Sequence, residues 1–287
     1  MLERLLAPVF VLLWSTGFIG AKYGLPYADA LHFLSARYVL VIALMGLAAL
    51  IFRAPWPKDT RSVAHIAVAG VLIQASYLGG VFLAIQLGLP AALTALIVGL
   101  QPILTALAAG GLLGERVTPR QWQGLALGFV GVTLVVTHSR APGLASQWSA
   151  VAMVSAVVAL LGITLGTLYQ KRFCPRFDLR TGAVIQFSAS LLVTLPLALH
   201  FEPRAIVWSG SFVFALLWLV LMLSLGAISL LNILIRRGSA VKVTSLFYLT
   251  PSVTAVCAWA LFDEYMSLLA VLGMALGAFG VWLARAR

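Results

Sequence analysis

The sequence predicts an all-α integral membrane protein of ten transmembrane helices, built as two related five-helix repeats in inverted orientations. Three observations carry this reading: apolar runs of membrane-spanning length, basic residues gathered in alternate connectors, and a self-match at an offset of 149 residues. Hydrophobic residues fill 62% of the 287 positions and charged residues 9%, with a mean hydropathy of +1.05. A soluble domain draws about a quarter of its residues from the charged set, so lipid is the solvent this chain suits. The net charge of +11 is spread as short clusters between apolar runs. That is how a membrane protein places Lys and Arg, and it argues against nucleic acid as a partner.

A bilayer core asks for about 20 apolar residues per helix. Runs of that kind cover 5–21, 31–52, 63–85, 91–113, 121–137, 148–168, 182–199, 212–234, 243–262 and 268–284. The first run follows Arg4 as a signal peptide would, but no small-x-small cleavage site follows it, and its match to the sixth run argues that it is retained. It carries Trp14 and Ser15 at its centre, and a mid-span tryptophan departs from the usual interfacial placement. The third run holds Gln74 and Tyr77, three apart. The fourth holds Gly99 and Pro102, and the fifth opens on the capping box Thr118-Pro119-Arg120-Gln121. Thr164 in the sixth run is the repeat mate of Ser15. The eighth holds Ser224 and Asn232, while the ninth holds Thr244, Tyr248 and Pro251, which share a face at α-helical spacing. Polar side chains at such depth need partners, either across helices or in a solute.

Lys and Arg favour cytoplasmic connectors. With both termini cytoplasmic, the outer side keeps only Lys22, Arg37, Arg140 and Arg204 of the 19 basic residues. The 149-residue offset places Pro102 on Pro251, Thr105 on Thr254, Glu115 on Glu264, and Gly124, Gly128 and Gly131 on Gly273, Gly277 and Gly280. It also carries Gly17 to Gly166 and Lys22 to Lys171. The halves are expected at 1–138 and 147–287. Five helices is an odd number, so the copies face opposite ways, as in carriers that bind solute near the midplane between inverted repeats. The GxxxG-type faces of Gly124, Gly128, Gly273 and Gly277 are expected to pack helix on helix, within one chain or between chains.

Proline inside a helix removes one hydrogen bond and offers a hinge. Pro102 and Pro251 are therefore read as paired kinks, either structural or freeing the carbonyls of Val98 and Phe247 to face a solute. The acidic residues Glu3, Asp29, Asp59, Glu115, Asp178, Glu202, Asp263 and Glu264 and the four histidines lie near run ends. No carboxylate at depth argues against proton or sodium coupling, and no Lys or Arg is read at the midplane, which favours a neutral or zwitterionic solute. Cys174 and Cys257 have no disulfide or metal spacing. An intramembrane enzyme would need convergent nucleophiles, acids or metal ligands inside the spans. A scaffold or sensor would need a soluble domain.

The stretches LLWSTGFIGAKYG (12–24), HFLSARY (32–38) and LQPILTALAAGGLLGERVTPRQWQG (100–124), with the five-plus-five repeat, resemble the EamA-type drug/metabolite transporter superfamily, nearest its bacterial amino-acid exporters. The resemblance implies an inner-membrane carrier without a cofactor, a central cavity lined by helices 1, 3, 4, 6, 8 and 9, and a small-molecule substrate. Neutral and aromatic amino acids are favoured, with other metabolites or drugs as the alternative. One chain suffices for such a cavity, and oligomeric state stays open.

Overall fold

A computed structural model describes residues 2–89, 91–138, 149–174, 176–262 and 267–285. Among these the chain forms ten membrane helices: α1 (Leu2–Gly24), α2 (Ala30–Ile51), α3 (Thr60–Gln86), α4 (91–113), α5 (Pro119–His138), α6 (Ala150–Phe173), α7 (Leu179–Phe201), α8 (Gly210–Arg237), α9 (240–262) and α10 (Leu268–Arg285). Seven of them, α2, α3, α4, α6, α7, α8 and α10, are long and apolar enough to cross a membrane by length and composition. Polar side chains fix where several begin. Asp59, Ser149, Asp178, Ser209 and Ser239 each accept a hydrogen bond from a first-turn N–H, satisfying donors that a helix start leaves unpaired. The α5 capping box forms as spaced: Thr118 N–H donates to Gln121 Oε1 at 2.9 Å and Gln121 N–H to Thr118 Oγ1 at 3.2 Å.

Four helices are irregular, and the irregularities come in repeat pairs. α3 is π-helical over Val71–Leu78 and α8 over Leu219–Ala227. α4 breaks between Val98 and Gln101. α9 breaks at the same offset, running as a short α-turn (Ala240–Thr244), a 3-10 segment (Ser245–Leu249) and a second α-segment from Thr250. Each second segment has proline as its second residue, where the missing N–H costs nothing.

Packing is reciprocal between the halves. α1 lies on α8 and α9, while α6 lies on α3 and α4; α2 pairs with its mate α7, and α5 with α10. Tyr38 and its mate Phe187 meet ring to ring at 5.4 Å, as side chains beside a two-fold axis must. At the α5–α10 crossing the backbones touch. A Cβ on Gly131 would lie 2.4 Å from Gly277 N, and one on Gly280 would lie 2.4 Å from Gly128 N. The glycine stripe is thus used inside one chain, with Gly124 against Gly280 and Ala284, and Gly273 against Gly131. Gly131→Leu is expected to destabilise the fold by about 3 kcal/mol, the upper end of overpacking costs, because backbone cannot move aside. Gly46→Leu, which meets nothing within 4 Å, should shift the melting temperature little. Leu47, Leu50, Leu192, Leu199, Phe214 and Leu272 cover the outside, apolar as a lipid-facing surface requires.

Candidate functional site

The site grows from α1, α3 and the two broken helices. Trp14 sits midway along α1 and is buried. Its indole stacks on Tyr77 of α3 at 6.0 Å with 11° between planes, and meets Phe247 of α9 edge-on at 5.1 Å. Phe10 closes the group, 5.2 Å from Trp14 and 5.5 Å from Phe247. Ser15 fixes α1 against α9: its hydroxyl donates to Val11 O at 2.7 Å and lies 3.2 Å from Thr250 O, while Thr254 Oγ1 donates to Ser15 O at 3.2 Å.

Two cavities flank the Trp14–Tyr77 pair, which lines both. One, with about 410 Å³ of empty space, lies between α1, α2, α3 and α8. The other, about 260 Å³, is lined by Ala95, Val98 and Gly99 of α4 and by Phe247, Thr250 and Pro251 of α9. Only about 30 and 20 Å³ of these is open to the centre of a water molecule, so the side chains stand nearly closed on one another. Helices 1, 3, 4, 8 and 9 of the expected lining are present. α6 does not line either cavity, and α2 enters through one residue, Arg37.

The residues singled out by sequence separate into groups. Trp14, Tyr77, Gly99 and Pro251 line the cavities; Ser15 and Pro102 are buried beside them in α1 and α4. Thr164 and Thr244 spend their hydroxyls on carbonyls of their own helices, Leu160 and Ala240. Asn232 belongs to a chain of amides: Gln186 Nε2 donates to Gln170 Oε1 at 3.0 Å, and Gln170 Nε2 to Asn232 Oδ1 at 2.6 Å. Gln74 is fully buried, its side-chain amide without a partner among the described residues, while its carbonyl accepts Tyr38 Oη at 2.7 Å. Ser224 takes a hydrogen bond from Arg37.

Tyr248 does not face the cavity: its ring lies over Gly128 of α5, where an added Cβ would meet it at 2.4 Å. The cause is the 3-10 turn. Three residues per turn instead of 3.6 advances each residue by about 20° more, so four residues turn Tyr248 by roughly 80° and bring Phe247 inward. The same turn occupies the Phe247 carbonyl, which accepts the Thr250 N–H, so it is not freed by Pro251. A second correction concerns charge. Arg37, read as a basic residue of the outer connector, is buried inside the bundle with 1% of its surface exposed.

The bundle is clasped at both ends. At one, Glu202 accepts the N–H groups of Leu31 and His32 at 2.8 and 2.9 Å, an anion on the start of α2, and His32 Nδ1 lies 3.1 Å from it. Gln86 links the same turn to Asp29. At the other end Glu115 accepts the N–H of Ala240 at 3.0 Å and pairs with Lys171 at 2.8 Å; Lys171 also donates to Gly238 O. The repeat mate Glu264 lies outside the described residues. In the connector before α7, hydrogen bonds from Arg180 hold the Asp178 carboxyl below the usual carboxylate range, and burial pushes the Cys174 thiol up to about 11. Cys174 is thus a neutral packing group.

A helical bundle with reciprocal halves, paired helix breaks at mid-depth and two aromatic-lined cavities between the halves has the architecture of a multi-pass membrane carrier. The model of the EamA-like transporter family matches the chain twice, over residues 1–137 and 150–286, and the chain belongs to that family. It is a transporter, not an enzyme. An uncharacterized transporter of Bacillus subtilis, YvbV, is 26% identical over 280 residues, spanning 95% of this chain and 88% of its own. The uncharacterized inner membrane transporter YedA of Escherichia coli is 24% identical, with 97% and 90% covered. A probable amino-acid metabolite efflux pump of Salmonella typhimurium is 23% identical, with 98% and 94% covered. A solved crystal structure, 22% identical, superposes with a TM-score of 0.78 over 98% of this chain and 95% of that one, a likeness that shows the fold.

Proposed function

We propose that the chain exports amino acids, neutral and aromatic ones above all, across the bacterial inner membrane. The observation that carries this is the aromatic cluster of Trp14, Tyr77 and Phe247 at the meeting of the two cavities. Aromatic faces bind flat apolar groups, and the Thr250 hydroxyl, buried on α9 and unpartnered among the described residues, is an acceptor for an ammonium group. The kinship to a probable amino-acid metabolite efflux pump supports the same class.

In this reading the halves, 1–138 and 147–287, rock about Pro102 and Pro251, with the termini and the Glu115 end in the cytoplasm. Solute moves down its own gradient, since the described carboxylates Asp29, Asp59, Glu115, Asp178 and Glu202 stand at helix ends or in connectors, away from the cavities. Counterflow in proteoliposomes tests this. Phenylalanine, tryptophan and leucine are expected to exchange well above lysine and glutamate, at equal rates with and without an imposed proton or sodium gradient. Flux that needs either gradient sinks the uncoupled mechanism, and flux of none of the amino acids sinks the substrate.

A further inference from the structure

Arg37 stands on the second turn of α2, roughly 10 Å into the helix at 1.5 Å per residue. Its Nε donates to Ser224 Oγ on the π-helical part of α8 at 2.8 Å. Both terminal nitrogens, Nη1 and Nη2, are buried and have no hydrogen-bond partner among the described residues. The side chain lines the larger cavity, whose other walls are the aromatic rings of Trp14, Tyr77 and Phe82 and small or aliphatic groups. Asp29 and Glu202, the acids at the near end of α2, are already engaged by Gln86 and by backbone N–H groups. A buried cation without its anion is costly, and intramembrane charges are kept where they act.

The repeat sharpens the point. The 149-residue offset carries Arg37 onto Gln186, a neutral amide whose Nε2 donates into the Gln170–Asn232 chain. Packing at this position is met in one half by an uncharged group. Only the first half carries a guanidinium here, and that guanidinium lines the larger cavity.

We propose that Arg37 anchors a carboxylate of the transported solute, its two free nitrogens forming the paired hydrogen bonds that a guanidinium makes to a planar acid. Trp14 and Tyr77 hold the apolar part of the same molecule. This deepens the proposed function, resting on its placement of solute in the central cavity, and it names the solute as an organic acid with an apolar body, whether or not it carries an ammonium group.

Titration of the purified protein with paired ligands, followed by tryptophan fluorescence and by thermal stabilisation, tests it. The pairs are hydrocinnamate against hydrocinnamamide, and phenylalanine against phenylalaninamide. Wild type is expected to bind each acid about 30-fold or more tightly than its amide, the scale of a buried charge pair. Arg37→Gln should bring the ratio near one by weakening the acids alone. Arg37→Lys should fall between, keeping the charge without the fork. Equal binding of acid and amide by the wild type, or an unchanged ratio in Arg37→Gln, overturns the proposal. If Arg37→Gln does not fold, the wild-type ratio decides. Hydrocinnamate bound through Arg37 while proteoliposomes carry no amino acid would leave this anchor standing and remove the amino-acid reading.

Discussion

Trp14→Ala is expected to reduce counterflow by at least about tenfold, with Trp14→Phe retaining most of it. Among the described residues, Trp14 is the one side chain that touches Phe10, Tyr77 and Phe247 and borders both cavities. Truncation removes the stacking face a solute would use, worth about 0.5–1.5 kcal/mol for an aromatic pair beyond its buried area. It also joins the two cavities, and a large-to-alanine change in a packed interior costs about 3–5 kcal/mol. These effects separate by measurement. Loss of the solute face raises the half-saturating concentration, whereas loss of packing lowers the melting temperature, and Trp14→Phe should recover the second more fully than the first. Tyr248→Phe is the matching control. It removes a buried hydroxyl that has no partner among the described residues, on a ring packed against Gly128 rather than a solute, so half-saturation should not move. Wild-type flux in Trp14→Ala would remove the aromatic cluster from the transport path.

The ten spans were legible because each is close to the length a bilayer demands, and the connectors carry the caps and charges that stop a helix. The repeat was legible because proline, glutamate and glycine matches are rare in so apolar a chain. What escaped was local pitch. A period of 3.6 residues was assumed through α9, yet 245–249 winds at three per turn, and that alone exchanged Phe247 for Tyr248 at the cavity. Nothing in SLFYL marks the tighter turn except the proline that follows. The π-segments of α3 and α8 were equally silent, since their residues are ordinary helix formers in lipid. Arg37 escaped for a different reason. A single arginine seven residues into a run resembles one that reaches back to the interface; only the packing of α2 against α8 shows that it turns inward to Ser224. The HFLSARY stretch held the clue in its burial pattern: Phe33, Leu34, Arg37 and Tyr38 recur at three and four residues and all are buried.

Glu115→Gln is expected to shift the protein toward opening at the Glu115 end and to slow net exchange. The carboxylate does three things from one loop. It accepts the Ala240 N–H at the start of α9, lends its charge to the positive end of that helix, and holds Lys171, which in turn reaches Gly238. α4, α6 and α9 are thereby tied where the halves meet, at the end of the two broken helices. Glutamine keeps the shape and loses the charge, so the change measures the clasp and not a cavity. Charged hydrogen bonds of this kind are worth about 1–3 kcal/mol, a shift of roughly 5- to 150-fold between closed and open forms. The readout is labelling of Thr250→Cys by a bulky thiol reagent applied from the Glu115 end, in a chain with Cys174 and Cys257 replaced by alanine. Thr250 borders the smaller cavity, so its labelling rate reports how often that end opens. Lys171→Gln should act in the same direction, and the double variant should add little to either single change, because both remove one ion pair. Additive effects would mean that Glu115 and Lys171 hold the end shut by separate contacts, and an unchanged labelling rate in Glu115→Gln would show that the Arg172 contact to Leu112 O keeps it closed without the clasp.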